Sequence, residues 1–167
     1  MKKLVILACL IASFGIYSCS KDTDAQTTGQ DISFVEQASS GNQTAIALGQ
    51  LASDSSTDQT IKAFGASMVS DHSTAQTSLA ARVTTLPSSP INAAHLALLA
   101  QLDTLKGRSF DSVYIINTAA DFKAMQTLYL NESTIGSNNG LVNYAIDHLS
   151  IVNSHATSSA TIAGQYK

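Results

Sequence analysis

The stretch from Thr57 to Leu86 constrains the fold more than any other. Its apolar residues fall at Ile61, Phe64/Gly65, Met68, Ala75, Leu79, Val83 and Leu86. That alternation of three and four is one face of a long amphipathic helix, and nothing in it has the period of a strand. In the middle of the face, where another apolar residue is due, stands His72, with Asp71 beside it. A helix of this length needs neighbours of similar length to cover its stripe, and the rest of the chain after residue 30 supplies them.

Upstream, Asp31 is the expected N-cap of a first helix running to about Ser53, with Phe34, Ala38, Gly41, Ala45, Leu48 and Ala52 on its inner face. Small residues dominate that face, so a neighbouring helix can approach closely. Asp54-Ser55-Ser56 reads as a tight turn, and Thr57 or Asp58 caps the second helix. Pro87-Ser88-Ser89-Pro90 ends the second helix.

Ile91 to Thr104 reads as a short connecting helix with Leu96, Leu99 and Leu102 inward, and Gly107 breaks it. A third long helix is expected from Ser109 to about Thr134, with Phe110, Tyr114, Asn117, Asp121, Ala124 and Leu128 on one face. After the turn Gly136–Gly140, a fourth runs from Leu141 to about Ala163, aligning Leu141, Ala145, His148, Val152, His155 and Ile162. No segment alternates with period two. The expected fold is all-α: a ferritin-like four-helix bundle over residues 31–167, with a short extra helix in the crossover between helices 2 and 3.

The N-terminus has a different character. Lys2 and Lys3 precede an apolar run from Leu4 to Ile16, too short to span a bilayer, and the run ends in Ile16-Tyr17-Ser18-Cys19. This reads as a secretory signal over residues 1–18. Its ending resembles a bacterial lipobox, which implies cleavage before Cys19 and a lipid on that cysteine. Residues 19–30 have no large apolar side chain and read as the lipidated cysteine and a flexible tether. Ser20 after Cys19 favours the outer membrane, on its periplasmic face or its surface. Cys9 leaves with the signal, so the mature chain has a single cysteine and no internal disulfide. With Lys2 and Lys3 gone, seven basic residues face twelve acidic ones, a formal charge of −5. That balance argues against nucleic acid or anionic headgroups as partners.

Counting along the helices at ~1.5 Å per residue puts Thr44, His72, Asp121 and His155 within one or two turns of the bundle's mid-plane. Mid-bundle side chains on facing helices are where such folds build metal sites. His148 is two turns from His155 on the same helix and cannot share an ion with it. Tyr114 and Phe110 read as core, His95 as exposed, and Asp71 as a solvent-side or supporting residue rather than a ligand. No phosphate-binding glycine loop, G-x-S-x-G motif or basic-aromatic strip is present.

Several runs carry a resemblance: G-x-x-T-A-I-A-L-G-Q-L-A from Gly41, F-G-A-S-M-V-S-D-H from Phe64, S-L-A-A-R from Ser78, G-R-S-F-D-S-V-Y from Gly107, and L-S-I-V-N-S-H ending at His155. Together they resemble the bacterial domain-of-unknown-function 4142 family over about residues 31 to 165. The resemblance implies a ferritin-like fold, an exported protein and no established activity. It also implies a Glu in the first helix and a His in each of the other three. Here those positions hold Thr44, His72, Asp121 and His155, so two of the four depart. His72, Asp121 and His155 would remain as a 2-His-1-carboxylate set for one iron or zinc ion. The di-metal set needs Glu-x-x-His motifs, and none occurs. Two functions follow as expectations. The first is a non-enzymatic envelope lipoprotein, anchored through Cys19, that binds a partner or serves stress tolerance. The alternative is a metal-binding or weakly redox-active bundle. The alternative bland reading of the histidines is a buried polar layer that fixes helix register.

Overall fold

The computed structural model describes residues 27–86, 88 and 90–166. The expected signal peptide, Cys19, most of the tether, Pro87 and Ser89 lie outside the described residues. Five helices make up the rest: α1 (Gly29–Ser55), α2 (Gln59–Ala80), α3 (Ala93–Thr104), α4 (Gly107–Ile135) and α5 (Asn139–Ala163). No helix among the described residues is long and apolar enough to cross a membrane.

The four long helices form the bundle, with α1 packed mainly on α2 and α4 mainly on α5. The α1–α4 and α2–α5 contacts join the two pairs, and the short α3 touches α1 and α4. Hydrogen bonds at the two ends fix the directions. At one end the α1–α2 turn meets the start of α4 and the chain's last residues: the Ser56 and Thr57 hydroxyls donate to the Asp111 carboxylate, and the Tyr166 hydroxyl donates to Asp58 at 2.6 Å. At the other end, Asp31 near the start of α1 accepts the backbone N–H groups of Ser137 and Asn138, in the α4–α5 turn, at 2.9 and 3.1 Å. Helices α2 and α4 therefore run parallel, and the segment holding α3 returns along the bundle's length. This is the single long crossover that the sequence pattern implies.

The expected faces of α1, α2 and α5 are the buried ones. Helices α1 and α2 do approach to backbone contact, at Gly49 beside the expected stripe: a Cβ on Gly49 would lie 2.6 Å from the Gly65 carbonyl oxygen, and a Cβ on Gly65 would lie 2.6 Å from that of Gly49. Only glycine at both positions lets the helices cross so closely. Between the helices, Phe34, Leu48, Ile61, Met68, Leu79, Phe110, Tyr114, Tyr129 and Tyr144 are buried, each large side chain contributing on the order of 1.5–3 kcal/mol by leaving water. Among the described residues, every buried one lies between Asp31 and Ala163.

Several boundaries and two faces differ from expectation. Helix α1 starts before Asp31, because Thr28 is the N-cap. Its hydroxyl accepts the Asp31 N–H at 3.3 Å, while the Asp31 carboxylate accepts the Thr28 N–H at 2.6 Å, a reciprocal capping box. Helix α2 stops at Ala80 rather than Leu86, and Val83 and Leu86 pack on the core from a turn. Gly107 opens α4 instead of merely ending α3. Its φ of +54° is the reversal between the two helices. In α3 only Leu102 is fully buried and Leu99 is partly so, whereas Leu96 is 54% exposed. Beyond Tyr114, the buried stripe of α4 is Thr118, Phe122, Met125, Tyr129 and Glu132, one residue out of phase with Asn117, Asp121, Ala124 and Leu128. Both stripes obey three-and-four spacing. The stripe with the aromatics is the one that buries more apolar surface, and it wins.

Candidate functional site

That one-residue shift decides what stands at mid-bundle. Phe122 occupies the core position and stacks on His155 with ring centroids 5.1 Å apart at 24°. It also lies 5.5 Å from the His72 ring. His72 and His155 themselves are 5.4 Å apart, and Phe64 closes the group edge-on to His155 at 5.6 Å. The two histidines therefore meet, as their helix heights require. Asp121 is not with them. A residue adjacent to Phe122 points about 100° away around a helix, and Asp121 instead accepts a hydrogen bond at 3.0 Å from His95 Nε2 of α3. His95, expected to be exposed, is half-buried by this pairing.

The carboxylate at the histidine pair is Asp71, which bonds His155 Nε2 at 2.9 Å while remaining 37% exposed. His72 Nδ1 donates to the Asn42 side-chain oxygen at 2.9 Å. The Asn42 amide in turn donates to the Tyr144 hydroxyl and to Gln76, each at 3.2 Å, and Tyr144 bonds Tyr129 at 3.0 Å. His148 packs on Tyr144 at 4.5 Å, well away from His155. Burial pushes His72 down to about 4, with the nearby His155 adding to the shift and Asp71 opposing it. Burial also lowers His155, against the pull of Asp71, and it lowers His148. The histidine layer is therefore neutral at neutral pH.

These side chains do not fit the metal ion that the resemblance implies. Asp121 is taken by His95, His155 Nε2 by Asp71, and His72 Nδ1 by Asn42. His72 Nε2 is the one polar atom of that ring without a partner. Among the described residues no three His, Cys, Asp or Glu side chains gather as a set that could hold an ion. What the arrangement does do is tie α1, α2 and α5 together through Asn42–His72, Asn42–Tyr144 and Asp71–His155. Any one of the three helices sliding by one turn would break two of these bonds.

On the far side of Phe122 the structure is open. A cavity of about 640 Å³ lies between α1 and α4 and beneath the segment that leads into α3. Its walls are largely apolar, with Ala45, Leu48, Met68, Phe122, Met125 and Leu128 among them, and its polar lining includes Glu36, Thr44, His95, Thr118 and Asp121. Asn92 caps α3 by accepting the His95 N–H at 2.9 Å, and Ser40 of α1 donates to the Pro90 carbonyl at 3.0 Å, which together seat α3 over the opening. Thr44 and Asp121, two of the four positions singled out by height, thus face this cavity, whereas His72 and His155 face the sealed layer.

An Asp–His pair becomes a catalytic base when the second ring nitrogen reaches a hydroxyl or thiol. His95 Nδ1 meets none. The cavity was not foreseen from the chain, since its lining comes from four helices at no regular spacing. The only signal was the pair of polar residues, Thr44 and Asp121, at mid-bundle height. The family model described as domain of unknown function (DUF4142) matches residues 18–162, and the chain belongs to that family. No curated protein and no solved structure matches it.

Proposed function

We propose, for a chain whose family carries no assigned activity, that it is a non-enzymatic cell-envelope lipoprotein whose bundle binds a small, largely apolar molecule. The observation that carries this reading is the cavity of about 640 Å³ between α1 and α4. Its size is that of a small-molecule site, and its apolar walls with a few convergent polar atoms are what such sites are made of. The anchor in this reading is a lipid on Cys19, supported by the lipobox-like Ile16-Tyr17-Ser18-Cys19 and by Ser20, which favours the outer membrane. The tether that follows would hold the bundle a short distance off the bilayer.

The test is binding of Nile red, a neutral apolar dye, to the chain from residue 19 onward carrying Cys19→Ser. Ala124 borders the cavity yet is exposed on α4, so Ala124→Trp fills the opening without entering the core. Saturable fluorescence enhancement that is lost in Ala124→Trp is the expected result. No saturable enhancement, or enhancement unchanged in the variant, would sink the reading.

A further inference from the structure

The cavity has a cover that is held differently from the rest of the bundle. We propose that the N-terminal half of α3, together with residues 90–92, is a gate that swings away from α1 and α4 about the buried C-terminal end of α3 and so admits the ligand. This inference rests on the binding reading above and adds how the site is entered.

The inner wall of the cavity is sealed as it stands. Leu48 and Met68 are each 1% exposed and Thr44 is 4% exposed, so a molecule in solution touches them only after part of the surround moves. Three of the elements around the cavity are long helices, α1, α2 and α4, whose inner faces interlock through the core. The fourth is α3, which with the residues before it contributes Asn92 and His95.

The two ends of α3 are fixed by different forces. At the C-terminal end Leu102 is fully buried, Leu105 packs partly against the core, and Gly107 follows at φ +54°, where the chain reverses into α4. Apolar burial makes this the anchored end. Toward the other end no side chain of α3 is buried: Leu96 is outside, and Leu98 and Leu99 are only partly covered. That end is tied to two different helices by hydrogen bonds. Ser40 of α1 donates to the Pro90 carbonyl, and His95 Nε2 donates to Asp121 of α4, both at 3.0 Å. The first bond is exposed and the second pair is partly so, which lets water replace either partner when the segment lifts. A segment held by little apolar burial and by solvent-replaceable bonds opens far more often than the packed helices beside it.

The experiment reads the opening as thiol exposure. The Cys19→Ser chain from residue 19 onward holds no other cysteine. Thr44→Cys therefore places a single thiol on the inner wall, and Ser159→Cys places one at a buried position of α5 that does not line the cavity. Each is labelled under native conditions with dithiodipyridine, a neutral thiol reagent. Thr44→Cys should react more slowly than a free thiol, yet roughly tenfold or more faster than Ser159→Cys, because local opening is more frequent than global unfolding. Ser40→Ala with His95→Phe removes both outer bonds and keeps a ring over the cavity. At about threefold per hydrogen bond, the pair should speed Thr44→Cys roughly tenfold and leave Ser159→Cys unchanged. Equal rates at the two positions, a Thr44→Cys rate equal to that of a free thiol, or one unmoved by the double substitution would overturn the gate.

Hydrogen exchange on the Cys19→Ser chain decides the matter even if Thr44→Cys does not fold. The α3 amides should exchange roughly tenfold or more ahead of those in α2 and α5, and faster still with Ser40→Ala and His95→Phe. Protection equal to that of α2 and α5, or unchanged by the double substitution, would overturn the gate. Both readouts are taken without dye, so their failure leaves the cavity reading standing, whereas failure of Nile red to bind removes that reading and this inference with it.

Discussion

Replacing Glu132 by Gln isolates a pH-dependent term in stability. Glu132 lies in the last turn of α4, 1% exposed, with its carboxyl folded back toward the α4–α5 turn. A Cβ on Gly136 would come within 2.7 Å of Glu132 Oε1. Neither carboxyl oxygen meets a donor. Its neighbour is Asp31, whose own burial disfavours charge but whose hydrogen bonds from Thr28, Asn138 and Ser137 outweigh that and hold it well below the usual carboxylate range. Burial, with the Asp31 charge added, pushes Glu132 up from 4.5 to about 7. A folded value raised above the unfolded one gives stability that is complete below pH 4.5 and lost as pH rises through about 7. At about 1.4 kcal/mol per pH unit over that interval, the loss is about 3 kcal/mol. A glutamine does not titrate, and its amide can donate to Asp31. Urea unfolding of both proteins, taken at several pH values from 4 to 8 and extrapolated linearly, should therefore show a difference in stability that is flat below pH 4.5. It should then grow in favour of Glu132→Gln by about 3 kcal/mol toward pH 8. Taking the difference cancels every other titrating group. A difference that stays constant across the range would refute the reasoning, because it would mean that Glu132 ionises in the fold as it does in the unfolded chain.

His72 acts in the opposite direction. Its folded value is depressed to about 4, so its contribution is complete above pH 6.5 and is lost as pH falls, by about 3 kcal/mol. His72→Gln should be less stable at neutral pH, yet lose much of the acid sensitivity seen between pH 6.5 and 4 in the same urea titrations. For metal, elemental analysis of protein purified without chelators should find iron and zinc far below one ion per chain, unchanged after either is added. Stoichiometric uptake would contradict the partner assignments of Asp121, His155 and His72.

The stripes of three of the four long helices were legible in the chain. In α2, no face other than Ile61, Phe64, Met68, Ala75 and Leu79 collects as many apolar residues, and in α5 the stripe read from Leu141, Ala145, His148, Val152, His155 and Ile162 is the buried one. The approach of α1 to α2 could also be read ahead of structure, since a stripe with Ala38, Gly41, Ala45 and Ala52 has little to hold a neighbour away, although the backbone contact itself is made by Gly49, beside that stripe. Helix α4 offered two stripes one residue apart, and placing Asp121 inward chose the wrong one. Thr118, Phe122, Met125 and Tyr129 form the larger apolar surface, and the helix rotates to bury them. Helix α3 failed for a different reason. Leu96, Leu99 and Leu102 look equivalent by spacing, but the helix meets the bundle at its C-terminal end, where Leu102 is sealed, and leaves Leu96 outside. No periodicity within α3 carries that information. His95 pairs with a residue of another helix, so its burial could not be read from its own segment.

The rotation of α4 also explains how one mid-plane holds two regions of opposite character. Phe122 touches both: one side of its ring contacts His72 and His155, and its side chain is part of the cavity wall. The layer behind it has its polar groups largely satisfied and its histidines held neutral by burial, which suits a device that fixes the order and height of α1, α2 and α5. The cavity in front has the reverse balance, with apolar walls and four lining residues, Thr44, His95, Thr118 and Asp121, that each carry a buried polar atom without a partner. A fold that needed only stability would bury an apolar residue at position 121 or 44 and pack α3 down on it. Instead α3 is held by Asn92, by the Ser40–Pro90 bond and by Leu102, and the space beneath it stays open. Asp71-His72, the pair that first marks the chain's centre, therefore belongs to the scaffold. Asp121, bonded to His95 of α3, instead lines the cavity, on the side of α4 that the aromatic stripe turned away from the core.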